Sequence, residues 1–192
     1  MADPGGATLP LELVAKPHIR RHGPVGETTL DAFLTQLEAA EQGEGPIAVE
    51  ITSTGGDADT AHRIALEIGL ARRALGRRLV FIGKTIVYSA AVTVMGAFPR
   101  EDRFLTGDAT LLIHCRKLEK TLELEGPLPA SAQRVRQLLS EIDNGLRLEA
   151  EGFARLIEGS GISLEEIQRK AADNWYLPAA DALDRGLIAG LL

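Results

Sequence analysis

The sequence predicts an α/β layered fold, and three observations carry that expectation. Residues 47–51 and 79–82 are short, β-rich apolar runs that read as strands. Between them Ala61, Ile64, Ala65, Ile68 and Ala71 recur with the helical period, giving strand, helix, strand. Such a crossover between parallel strands is almost always right-handed and leaves its strands buried on both faces. The 192 residues, 45% hydrophobic and 25% charged, lie near the globular average, which excludes a disordered tail or a collagen-like rod.

The elements follow in order. Residues 1–16, with Pro4, Gly5, Gly6 and Pro10, carry no period and read as a flexible lead-in. Leu30, Phe33, Leu34 and Leu37 predict a helix behind Thr28 that Gly43 and Pro46 end. After the 47–51 strand comes the turn Ser53-Thr54-Gly55-Gly56, then the second helix, closed by Arg72, Arg73, Arg77 and Arg78, whose charges suit a helix carboxyl end. A small-residue helix over 90–98 follows Ser89, and short strands are expected at 103–106 and 110–114. Residues 131–158 carry a long apolar stripe, Val135, Leu138, Leu139, Ile142, Leu146, Phe153, Leu156 and Ile157, read as an arm facing the domain or a second subunit. Gly145 and Gly152 within it either mark a bend or a close approach or are tolerated weak points of the helix. Ser163-Leu164-Glu165-Glu166 is a capping box opening another helix, and residues 178–185 before Gly186 form the last. The expected organisation is one domain over 17–192 with 115–160 as its arm.

Several function classes fall away. The longest apolar run, 85–98, is too short to cross about 30 Å of hydrocarbon, and the amino terminus lacks the basic and apolar regions of an export signal. The cytoplasm is therefore expected, with no membrane partner. The single cysteine, Cys115, has no internal disulfide partner or metal spacing and is expected to be inert. Residues 61–120 are net basic between acidic flanks, but 4% aromatics supply few stacking platforms, so no nucleic-acid partner is expected. His18, His22, His62 and His114 form no compact ligand set, and no phosphate-binding loop is present, so no metal or cofactor is expected.

Candidate chemistry concentrates at four places. Ser89 stands where a strand gives way to a helix: it is either a helix cap or a nucleophile whose oxyanion would meet unpaired N–H groups. The Gly55-Gly56 turn is either a tight turn or a second donor brought close because no Cβ intervenes. His114, at the end of a strand, is either structural or a base. Asp173 either caps a turn or orients that imidazole. Lys84 offers an alternative base in a Ser-Lys pair, or snorkels from a strand end.

Ile51-Thr52-Ser53-Thr54-Gly55-Gly56, Arg103-Phe104 through Leu112-Ile113-His114, Ala172-Asp173-Asn174-Trp175 and the stretch from Ala182 to Ile188 together resemble the Clp protease proteolytic subunit family, from about His18 to the end. The resemblance implies a ClpP/crotonase-like α/β fold, a repeated β-β-α superhelix with a helical handle. It implies a serine endopeptidase with Ser89 as nucleophile, His114 as general base, Asp173 holding the imidazole, and the N–H groups of Gly56 and Ala90 as oxyanion hole. It further implies peptides or unfolded proteins as substrates, a homo-oligomer, and an AAA+ unfoldase as ATP-consuming partner. The chain order Ser, His, Asp and the sequence around Ser89 exclude the α/β-hydrolase elbow. Thr54 stands for the family's usual proline, Ala90-Ala91 for its Met-Gly, and residues 115–126 lack its glycine-rich handle strand. A crotonase-fold acyl-CoA enzyme and a catalytically silent ring subunit are the alternatives.

Overall fold

Seven strands of the described residues form one sheet. The structure, a computed structural model, describes residues 8–192. β2 (Ile47–Ser53) and β3 (Leu79–Tyr88) form the centre, paired in parallel from Ile47 against Leu79 to Ile51 against Gly83. β1 (Ile19–His22) lies parallel outside β2, while β4 (Arg103–Leu105) and β7 (Gly190–Leu191) extend the other side in the same sense. β2 is buried at every position but one, as a parallel strand between two covering layers must be.

β3 changes partner midway, and this positions the site. Its residues Phe81 to Gly83 pair with β4, whereas Ile86 to Tyr88 pair with β5 (Thr110–Ile113). Between the two halves Thr85 has φ 61°, a costly conformation for a β-branched residue, and the register with β2 slips between Ile51 and Ser53. β5 then pairs antiparallel with β6 (Trp175–Pro178), Ile113 against Trp175. The two strands that lead to Ser89 and His114 therefore end side by side.

α2 (Glu27–Glu41), α3 (Ala58–Leu75) and α4 (Ala90–Met95) bury Phe33, Leu37, Ile64, Ile68 and Met95 against Ile19, Val49 and Phe81 in the larger core. Asp57 caps α3 by accepting the Thr60 N–H, and Gly76 ends it in the left-handed conformation. Because α3 stops at Leu75, Arg77 and Arg78 lie beyond the helix they were expected to close. Arg77 instead donates to the carbonyls of Ala40 and Gly45, and Arg78 pairs with Asp102.

α1 (Leu11–Ala15) covers the opposite face, where Leu9, Leu13, Val14 and Leu192 pack on Ala48, Val80 and Ile82. Within the lead-in expected over 1–16, residues 11–15 thus form a short helix; residues 1–7 lie outside the described residues. A contact from far along the chain holds α1, Lys84 Nζ donating to Val14 O at 2.8 Å, and the nearby Arg20 adds a second to Ala15 O at 2.9 Å. No local period reveals such contacts.

α5 (Leu128–Ile157) is a single 30-residue helix, the expected arm, and runs unbroken through Gly145 and Gly152. Only Phe153 and Leu156 of it are buried, while Val135, Leu139, Ile142 and Leu146 are exposed. Residues 115–127 contain no helix or strand. α6 (Leu164–Ala172) starts at the expected capping box, with Ser163 accepting the Glu166 N–H, and α7 (Ala179–Asp184) closes the helical set.

Candidate active site

Ser89 follows the last residue of β3 and precedes α4, with φ 55° and ψ −118°. Its own N–H donates to Leu112 O at 2.7 Å, so the sheet ladder holds its backbone in this strained state. The side chain makes no capping hydrogen bond, which leaves the hydroxyl available for chemistry. The 53–56 turn packs directly on it: a Cβ at Gly55 would lie 2.6 Å from the Ser89 Cβ. Gly56, at φ 145°, is pressed against Val25, whose carbonyl oxygen a Cβ there would meet at 2.3 Å. Sequence reasoning singled out Gly56 as a donor, but Gly55 is the residue whose missing side chain lets the turn reach Ser89. Among the described residues, neither the Gly56 nor the Ala90 N–H makes a hydrogen bond.

His114 follows β5 and is half-buried. Its Nδ1 lies 2.6 Å from Cys115 O. A carbonyl only accepts, so Nδ1 carries a proton, and in the neutral ring Nε2 keeps its lone pair. Asp173 caps the carboxyl end of α6 and is exposed. Extending the β5–β6 register by one step sets residue 174 opposite His114, so Asp173 sits in the turn just beyond. The two side chains share no hydrogen bond among the described residues.

Gly56, Ser89, Ala90 and His114 line one cleft of 630 Å³, and Asp173 is not part of its lining. The first turns of α3, residues 115–118 and the inner turns of α5 form its walls, Gly145 and Gly152 among them. Arg116 and Asp59, both in the cleft lining, pair at 2.5 Å. The Asp57 carboxyl is held below its ordinary range chiefly by hydrogen bonds from Thr60. Burial, together with the neighbouring Glu149 carboxylate, pushes the Cys115 thiol up, which fits its expected inertness.

Lys84 is directed elsewhere. Its Nζ lies 2.5 Å from Glu50 Oε2, on the face that α1 covers, so the Ser-Lys reading finds no support in the geometry. No group of His, Cys, Asp and Glu among the described residues is arranged to hold a metal ion. No helix among them is long and apolar enough to cross a membrane.

The Clp protease family model matches residues 8–192. The ATP-dependent Clp protease proteolytic subunit 2 of Treponema pallidum (strain Nichols) is 26% identical over 147 residues, which cover 77% of this chain and 66% of that protein. The match thus spans just under two thirds of the relative's length. Among solved structures, a variant of ClpP1 from Listeria monocytogenes superposes with a TM-score of 0.71 at 19% identity, over 91% of this chain and 90% of that one. That superposition bears out the expected ClpP/crotonase-like α/β fold.

Proposed function

The chain belongs to the Clp protease family, and from that premise we propose that it is a serine endopeptidase acting on peptides or unfolded proteins. The observation that carries the reading is the cleft in which a strained, uncapped Ser89 shares its walls with His114 and with the unpaired N–H groups of Gly56 and Ala90. In this reading His114 Nε2 takes the Ser89 proton as the hydroxyl attacks the scissile carbonyl. The oxyanion is received by Gly56 and Ala90, each donor contributing about 3 kcal/mol. His114 then protonates the leaving amine, and water releases the acyl group. Asp173, one step past the strand position opposite His114, supplies the negative charge that favours the imidazolium.

The exposed apolar residues of α5 support self-association into a homo-oligomer through the arm. The relative's description as an ATP-dependent proteolytic subunit supports an AAA+ unfoldase as the partner that supplies the ATP-driven step.

A fluorophosphonate probe tests the chemistry. Adduct is expected on Ser89 alone and is expected to disappear in His114→Ala, and Ser89→Ala is expected to lower peptide cleavage by at least about a thousandfold. A wild-type chain that takes no label would overturn the reading in favour of a silent ring subunit.

A further inference from the structure

The Nδ1 of His114 is bonded to the carbonyl of Cys115, the first residue of a stretch with no helix or strand to hold it. Two bonds hold it instead. Cys115 N donates to Ala171 O at 3.3 Å, and Arg116 N donates to a carboxylate oxygen of Glu149 on α5. The Cys115 carbonyl and the Arg116 N–H belong to the same peptide group. In a trans peptide, and the described residues contain no cis bond, these two point in opposite directions from one rigid plane. One end of the plane is therefore on His114 and the other on Glu149. An anionic acceptor on the N–H also polarises the amide and makes its carbonyl a better acceptor.

We propose that Glu149 is a positioning residue for His114, acting through the Cys115–Arg116 peptide plane to keep the imidazole in the tautomer whose Nε2 faces the reaction unprotonated. The proposal rests on the reading of His114 as the general base. It divides the usual work of one carboxylate between two: Glu149 sets ring orientation and tautomer through a neutral peptide, while Asp173 contributes charge. It also assigns α5 a part in the chemistry, because Glu149 sits in the turns that wall the cleft. Residues 148–150 are only partly buried on a helix, so alanine there leaves the fold intact.

Nitrogen NMR of the full chain with 15N-labelled histidine reads which imidazole nitrogen carries the proton, and fluorophosphonate labelling reads the reactivity of Ser89. Wild type is expected to show the Nδ1–H form. Glu149→Gln, whose amide oxygen still accepts from the Arg116 N–H, is expected to keep that form and most of the labelling rate. Glu149→Ala is expected to mix the tautomers and slow labelling roughly tenfold to a hundredfold, the cost usual when a histidine loses the group that orients it. An unchanged tautomer and rate in Glu149→Ala would overturn the proposal. If wild type takes no label, the peptidase reading fails, yet the tautomer in Glu149→Ala still decides whether Glu149 positions the ring.

Discussion

Arg103 and Glu50 are both charged side chains buried within the sheet, only 2% and 3% exposed, and the chain accommodates them in opposite ways. Among the described residues the Arg103 guanidinium hydrogen-bonds only to carbonyl oxygens. It donates to the carbonyls of Phe98, Leu156, Leu187, Gly96 and Arg155, binding the end of α4, the docked end of α5 and the carboxyl-terminal segment into one joint. Glu50 is held instead by two cations and an imidazole: Lys84 Nζ at 2.5 Å, Arg20 Nε at 3.4 Å and His22 Nε2 at 2.8 Å. Neutral dipoles serve where several chain segments must be fixed at once, and a cationic cluster serves where one short element, α1, must be clipped to a sheet face. The first arrangement is indifferent to acid; the second is not.

Arg103→Met tests the joint most severely, since it leaves five carbonyls without their donor. A loss of at least about 4 kcal/mol in urea unfolding is expected, with Arg103→Lys recovering little because one ammonium cannot reproduce the guanidinium fork. Glu50→Gln comes next, with an expected loss of roughly 2 kcal/mol at neutral pH, because its partners keep some access to water.

Acid separates the two centres further. Burial pushes the Glu50 carboxyl up, but hydrogen bonds from Lys84 and His22 and the charges of Lys84 and Arg20 outweigh it and hold the carboxyl below its ordinary value of 4.5. Its contribution is therefore complete above that value and is lost as pH falls through the lower folded one. Unfolding curves taken from neutral pH downward should show this loss in wild type and not in Glu50→Gln. Burial lowers the Arg103 pKa only to about 10, so its contribution stays level over the same span. The smallest effect belongs to an ion pair at the surface: Lys120→Ala removes the contact with Glu141 and is expected to change stability by less than about 0.5 kcal/mol. A larger shift would mean that the segment 115–127 is held more firmly than its exposed pair suggests.

Much of this was legible in the residues. The 47–51 and 79–82 runs and the helix between them lie where their periods put them, and the capping box at Ser163 opens α6. β1 escaped because Ile-Arg-Arg-His has no strand period of its own; its parallel ladder with β2 makes it a strand. β3 extends to Tyr88, past a polar Lys84 and a left-handed Thr85, because it finds a second partner in β5. At the site, the Gly-Gly pair and the serine at a helix start announced themselves by residue type. Glu149 had no such signal, since its significance depends on a peptide group thirty-odd residues away.

A 30-residue helix rises about 45 Å, and α5 is docked near one end, at Phe153 and Leu156. It is thus a lever with its fulcrum beside the cleft. A tilt of about 5° there would displace the Leu128 end by roughly 3 Å but Glu149, one turn from the fulcrum, by only about 0.5 Å. Whatever grips the far end of the helix therefore gains fine control over the near end, because large, weakly resisted movements outside are geared down to hydrogen-bond-sized adjustments within.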